Sequence, residues 1–289
     1  MNKQFESTFW GADNTELFYH LWGCPEPKGN IILTHGLAEH SETYEDLALK
    51  LNKLKWNVFA WDLRGHGRSE GKRGYVENFD DLSSDLELFV KEIDEKHNPD
   101  HLPNVFFGHS LGGLITLKTL MTKPIEAAAV TLSAPELGLA LKVPPLKIRA
   151  AQLGAKWLPK LTLWNEIRYK DLTRDEDFIK KYPKDPLRHD KISPRLFLGM
   201  IDAFEYVQQH AADFNFPLLL QVAGSDPIVS PQAQIDFFEK VPTTNKEMHI
   251  YEDSLHEIYN DLDKDDAFKD LSHFLNRIKT NGNPRTQKN

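Results

Sequence analysis

The chain has 289 residues, 40% hydrophobic and 27% charged, with a net charge of −8. That apolar content supports a sizeable core and excludes wholesale disorder, while the acidic balance suits no phosphate backbone, so nucleic acid is not an expected partner. No apolar run exceeds four residues (Val58 to Trp61, Ala127 to Val130), far short of the roughly 20 that a spanning helix needs, and the lone Cys24 excludes an internal disulfide.

Met1 to Ser7 contain no apolar h-region, so no secretory signal is expected and the location expected is cytoplasmic. Leu17 to Trp22 reads as an antiparallel edge strand. Strands at Asn30–Thr34, Val58–Trp61, Val105–Phe107 and Ala127–Leu132 then alternate with helices. One helix covers Glu42–Lys55, a second is marked by the spacing of Leu82, Leu86, Phe89, Val90 and Ile93, and a third covers Leu111–Met121. Apolar strands without polar alternation, separated by helices, predict an α/β fold whose mostly parallel sheet is covered on both faces.

The rhythm changes after Ser133-Ala134-Pro135. Residues 136–214 carry Pro-punctuated helical stretches (Leu146–Leu158, Arg174–Lys181, Pro194–Ala212) and no β-rich run. Alternation resumes with a strand at Pro217–Val222, a helix at Gln232–Glu239, a strand at Glu247–Tyr251 and a helix at Ala267–Lys279. The expected organisation is a core of residues 1–135 and 215–280, a helical cap of 136–214 inserted into it, and a flexible tail of 281–289.

Val105-Phe106-Phe107 runs into Gly108-His109-Ser110-Leu111-Gly112-Gly113, and a helix follows. This is the Gly-x-Ser-x-Gly nucleophile elbow in its required strand–turn–helix setting. The turn closes only if the residues two before and two after the serine lack side chains. It places the hydroxyl at a helix N-terminus, where the N–H of Leu111 can face a developing oxyanion. A serine hydroxyl needs a base. Asp226 lies just past the strand ending Gln221-Val222-Ala223, on the edge where parallel strands end together. Of the histidines after it, His249 falls within a strand, His273 within a helix, and His256 on the loop after the last strand. Ser110, Asp226 and His256 are therefore the expected nucleophile, orienting acid and base. The loop His35-Gly36-Leu37 follows an early strand, so the N–H of Leu37 is the second expected oxyanion donor. His35, His40, His66 and His109 read as loop-shaping. The histidines lack metal-ligand spacing and there is no Gly-x-Gly-x-x-Gly or P-loop, so neither metal nor cofactor is expected.

These residues, with His35-Gly36-Leu37-Ala38-Glu39-His40-Ser41, Tyr44, Asp62-Leu63-Arg64-Gly65-His66-Gly67-Arg68-Ser69 and Asp185-Pro186-Leu187, resemble the α/β-hydrolases of the monoacylglycerol lipase and lysophospholipase group. The resemblance extends to about residue 279. It implies hydrolysis of the acyl ester of a single-chain lipid, a monoacylglycerol or lysophospholipid, through an acyl-enzyme on Ser110, releasing a fatty acid. A short-chain carboxylesterase or thioesterase would use the same triad, as would a non-turnover ligand receptor on this fold. A peptidase acting on N-terminal residues would need acidic groups near the pocket.

Between Leu139 and Trp164 stand Lys142, Lys147, Arg149, Lys156 and Lys160, with no acid. Leu141, Leu146, Leu153, Trp157, Leu158 and Trp164 are interleaved with them. Two expectations follow. Leu146, Leu153 and Trp157 should line an acyl tunnel above Ser110, and the basic apolar segment should make transient peripheral contact with a lipid surface. An ordinary lid helix packed on the core is the other reading. The sequence does not specify an oligomeric state.

Overall fold

The computed structural model describes residues 3–140 and 143–279. Leu141 and Lys142 of the basic segment, and the expected tail 281–289, lie outside the described residues. In chain order the main elements are β1 (Lys3–Trp10), β2 (Glu16–Gly23), β3 (Gly29–Thr34), α1 (Glu45–Lys53), β4 (Trp56–Trp61), α2 (Asp80–Lys96), β5 (Asn104–His109), α3 (Leu111–Thr122) and β6 (Ala129–Ser133). Then come α4 (Pro145–Trp157), β7 (Leu163–Trp164), α5 (Glu176–Lys181), β8 (Lys191–Ile192), α6 (Pro194–Gln209), β9 (Leu218–Ala223), α7 (Pro231–Lys240), β10 (Lys246–Tyr251) and α8 (Lys264–Arg277).

Eight strands form one sheet in the order β1-β2-β4-β3-β5-β6-β9-β10. It is parallel from β4 to β10, with β2 antiparallel to β4 and β1 antiparallel to β2. The central strands are largely apolar because successive side chains enter different cores. Ile32, Phe59, Phe106 and Leu220 pack with α2, α3, α6 and α7, whereas Ile31, Leu33, Val58, Val105, Phe107 and Leu219 pack with α1 and α8. Burying each such side chain contributes roughly 1.5–3 kcal/mol, so the central strands are the stable part of the scaffold.

Leu17–Trp22 is antiparallel as expected but is not the edge, because β1 covers it across the full register Lys3↔Gly23 to Trp10↔Glu16. β1 escapes a periodicity reading because it is mostly polar and only Phe9 of its apolar side chains is buried. The 136–214 stretch holds helices α4, α5 and α6, together with a two-residue strand pair, β7 and β8, too short to produce an apolar signal. Among the described residues no helix is long and apolar enough to cross a membrane.

Register positions the site. Thr34 pairs with Gly108, Gly108 with Leu132, and Leu132 with Leu220, so β3, β5, β6 and β9 end side by side. The loops after these strands and after β10 therefore share one edge. β3 lies between β4 and β5, so the chain departs in opposite directions at this point, which opens a crevice at the carboxyl ends of the strands.

Candidate active site

Ser110 joins β5 to α3 with φ +51° and ψ −121°, a left-handed conformation that its surroundings impose. A Cβ on Gly108 would lie 2.6 Å from Gly113 Cα, and one on Gly112 only 2.1 Å from the Thr34 carbonyl oxygen. Both flanking glycines are thus required by close backbone approach. The Ser110 N–H donates to Ser133 O at 3.1 Å, which ties the turn to the end of β6.

His256 Nε2 lies 2.8 Å from Ser110 Oγ, and His256 Nδ1 lies 2.6 Å from Asp226 Oδ2. The other carboxylate oxygen, Oδ1, accepts from the N–H groups of Ile228 (2.8 Å) and Val229 (3.1 Å). Asp226 is therefore fixed in orientation by its own turn, and it fixes the ring in turn. The structure brings together the three side chains singled out from sequence, and all are buried. His249 lies on β10 and His273 on α8, as expected.

The imidazoles nearby differ in their affinity for a proton. Burial pushes His35, His66, His109 and His189 below the usual histidine range, His66 to about 4 and His189 to about 2. Burial opposes the charged form of His256 as well. There the charge and hydrogen bond of Asp226 outweigh it and push the ring up. His256 is thus suited to take a proton, while its neighbours remain neutral.

The Leu37 and Leu111 N–H groups make no hydrogen bond within the described chain, and Leu37 and Ser110 line the same cavities. The Leu37 loop is braced from beneath. Glu39 accepts from Gly36 N–H at 2.5 Å and from Tyr44 O–H at 2.7 Å. His35 Nε2 accepts from Leu63 N–H at 3.0 Å, so Nδ1 carries the proton and donates to Gly36 O at 2.7 Å. His35 is a structural brace, as its neighbours suggested.

Two cavities meet at Ser110. One, about 330 Å³, is lined by His256, Glu257, Arg188, His189 and Tyr169. The other, about 420 Å³, is lined by Leu139, Val143, Phe197, Met200 and Ile228, with Glu136 in its wall. Leu146, Leu153 and Trp157 line neither, which corrects the expectation of an acyl tunnel built from them. They are 77%, 61% and 71% exposed. α4 packs on α6 with Gly154 against Pro194; Ile148, Ala151, Gly154 and Ala155 are its half-buried residues, and Leu146, Leu153 and Trp157 face outward.

Sequence reasoning missed Glu136, Arg188 and Glu257. Glu136 follows β6 directly, so the strand-edge logic that found Asp226 would have found it. Arg188 and Glu257 are linked only by the fold. Arg188 Nη2 donates to Glu257 Oε1 at 2.6 Å, and Tyr182 O–H and the side-chain amide Nδ2 of Asn260 donate to Oε2 at 2.6 and 2.7 Å. Burial alone would raise Glu257, but the guanidinium of Arg188 outweighs it and holds the carboxyl low. A carboxyl held low contributes stability above its unfolded value, and loses it as pH falls through the folded value. Arg188→Leu would leave this buried carboxylate uncompensated, and is expected to cost about 3–5 kcal/mol at neutral pH. In urea titrations the difference from wild type should shrink on acidification, as the stranded Glu257 takes up a proton. An equal difference at all pH values would show that packing, not charge, links these residues.

As to metals, one group among the described residues could converge on an ion, Glu6, His20 and Glu42. The Arg68 guanidinium already bonds both carboxylates there.

A family model described as serine aminopeptidase, S33, matches residues 25–263. The chain is 26% identical over 272 residues to a monoacylglycerol lipase of Mycolicibacterium smegmatis, covering 93% of this chain and 96% of that protein. It is also similar to the crystal structure of the Paleococcus ferrophilus monoacylglycerol lipase, with a TM-score of 0.80, 30% identity, and coverage of 94% and 98% of the two chains. It is 30% identical over 258 residues to a longer uncharacterised abhydrolase domain-containing protein of Dictyostelium discoideum, and spans 27% of that protein's length.

Proposed function

The chain belongs to the serine aminopeptidase S33 family of α/β-hydrolases and is a serine hydrolase, and from that membership we propose that it cleaves the ester of a single-chain acyl lipid with an uncharged alcohol, a monoacylglycerol. The observation that carries this reading is the hydrogen-bonded series Ser110–His256–Asp226 beside two N–H groups without partners among the described residues. Ser110 Oγ attacks the acyl carbonyl while His256 Nε2 takes its proton, and Asp226 stabilises the imidazolium. The N–H groups of Leu37 and Leu111 receive the oxyanion. Collapse of the tetrahedral intermediate breaks the ester C–O bond, and His256 returns the proton to the departing alcohol. Water, deprotonated by the same His256, then releases the fatty acid from Ser110.

Because His256 protonates the leaving oxygen, the alcohol belongs on its side, in the 330 Å³ cavity. The mostly apolar 420 Å³ cavity then takes the acyl chain. In the alcohol cavity Arg168 is paired with Asp171, and Arg188 with Glu257, so neither cation is left for a phosphate. Two buried donors there lack partners among the described residues, Arg188 Nη1 and His189 Nε2, and they suit hydroxyl oxygens. His189 Nδ1 accepts from Lys191 N–H, which puts its proton on Nε2. Monoacylglycerols are therefore expected to be turned over at least about tenfold more efficiently than lysophospholipids of the same chain, since a phosphate would be desolvated without a free cation. Equal or better turnover of lysophospholipids would overturn the choice of alcohol.

The cap's outward ridge supports a second element of this proposal, brief contact with an anionic lipid surface. Leu146, Leu153, Trp157, Leu158 and Trp164 are exposed, with Lys147, Arg149, Lys156 and Lys160 among them. Such a face lays its apolar side chains among acyl chains and keeps its cations among head groups. The combined Leu146→Ser, Leu153→Ser and Trp157→Ser variant should lose about tenfold or more in co-sedimentation with phosphatidylglycerol vesicles. Its turnover of a dissolved short-chain ester should stay unchanged. Loss of both together would place these residues in service of the site itself.

A further inference from the structure

The acyl cavity contains one feature that a plain hydrocarbon chain does not require. Its charged lining consists of Glu136, Lys147, Glu166, Arg168 and Asp171. Lys147 is paired with Glu166 at 2.7 Å, and Arg168 with Asp171 at 2.6 Å. Glu136 is left over. Its carboxyl makes no hydrogen bond or ion pair among the described residues, yet the residue is only 4% exposed and faces the cavity shared with Ser110.

The backbone holds it there. Glu136 N–H donates to Ser110 O at 3.0 Å, and the segment that follows is tied to the Asp226 loop by Ala140 N–H to Ile228 O and Ser230 N–H to Gly138 O. The backbone of Glu136 is therefore fixed beside the nucleophile turn, and the residue lines the cavity that Ser110, Leu139, Pro227 and Ile228 also line. Burial pushes the carboxyl up to about 7, with His256 pulling it down and Asp226 adding to the rise, so near neutral pH both of its forms are populated. Either form accepts a hydrogen bond. An apolar residue here would suit a fatty acyl chain better and would remove an unpaired buried acid, which is a cost to the fold.

We propose that Glu136 receives a hydrogen-bond donor carried on the acyl chain near its carbonyl, a hydroxyl or an amine, so that the enzyme prefers substituted acyl groups over plain fatty acyl groups. This rests on the reading of the 420 Å³ cavity as the acyl side.

The test compares kcat/KM on the monoglycerides of octanoic, 2-hydroxyoctanoic, 3-hydroxyoctanoic and 3-aminooctanoic acids, for wild type, Glu136→Gln and Glu136→Leu. Wild type should favour at least one substituted ester over octanoate by about tenfold or more, the size of a hydrogen bond to a buried acid. A preference for the hydroxy esters identifies a hydroxyacyl substrate, and one for the amino ester an aminoacyl substrate. Glu136→Leu should abolish the preference, gain on octanoate and melt at a higher temperature. Glu136→Gln, nearly isosteric, should keep a hydroxyl preference but lose an amine preference. The proposal is overturned if wild type favours no substituted ester, or if Glu136→Leu retains the preference. Turnover of octanoate without any preference would leave the hydrolase reading standing, whereas no turnover of any ester would remove both.

Discussion

Ser110→Ala is expected to lower ester turnover by about 10⁴ to 10⁶ while leaving the protein folded. The nucleophile is the group on which the whole sequence of bond changes depends, so removing one oxygen removes the acyl-enzyme route. The residual rate reflects oxyanion binding and substrate placement by Leu37 and Leu111. The fold should tolerate the change because among the described residues Ser110 Oγ bonds only His256, and the positive φ at this position is imposed by close contacts of Gly108 and Gly112, not by the hydroxyl. Single-turnover rates and thermal melts of the two proteins, with a fluorophosphonate probe that labels wild type at Ser110 alone, provide the check. Near wild-type turnover in Ser110→Ala, or labelling elsewhere, would remove the proposed mechanism.

Asp226→Asn should have the second largest effect, a loss of about 10⁴ in turnover. An amide at this position can present its NH₂ to His256 Nδ1 and leave the wrong tautomer facing Ser110. A shift in the pH profile should accompany the loss. His256 must be neutral to accept the serine proton, so activity rises as pH climbs through its pKa. Asp226 outweighs burial and holds that pKa above the usual 6.5, so the acid limb of the wild-type profile should have its midpoint above 6.5. Without the carboxylate, burial dominates and pulls the ring down. The limb should therefore move to lower pH even as the plateau falls. A lower plateau with an unmoved limb would mean that Asp226 orients the ring without setting its charge.

What could be read from the sequence, and what could not, follows from how far each contact reaches along the chain. The turn at Ser110 is a local event, and its strand, two glycines and helix all lie within the span of residues 104–122. Asp226 and His256 are distant in sequence, yet parallel strands must end together, so a position just past a strand's end was enough to select them. Arg188 and Glu257 obey no such rule. They meet because the cap folds back over the last loop, and no periodicity encodes that. Glu136 stands past a strand end like Asp226, but a Ser-His-Asp triad needs one acid, so nothing in the pattern singles out a second.

α4 misled for a different reason. Hydrophobic spacing assigns the large residues of a helix to its buried face. α4 instead turns Ile148, Ala151, Gly154 and Ala155 inward and Leu146, Leu153 and Trp157 outward. β1 gives no apolar pattern because its pairing with β2 is made by the backbone, and its described side chains, apart from Phe9, stay near solvent.

The 185–189 segment of the cap has a mechanical role in addition to its polar contacts. Asp185 Oδ2 accepts from His40 at 2.8 Å, and His189 N–H donates to Ala38 O at 3.2 Å, so this segment is tied to the loop bearing Leu37. Through Arg188 it is equally tied to Glu257, the residue next to His256. A single stretch of chain thus registers one oxyanion donor against the base, two parts that the sheet holds on different strands. Strain applied there displaces both at once and spares Ser110, which belongs to a turn set by β5, β6 and α3. Asp185→Ala, which cuts the tie to His40 and leaves Arg188 and His189 in place, should consequently appear as a lower kcat with a nearly unchanged KM, a loss of alignment more than of binding.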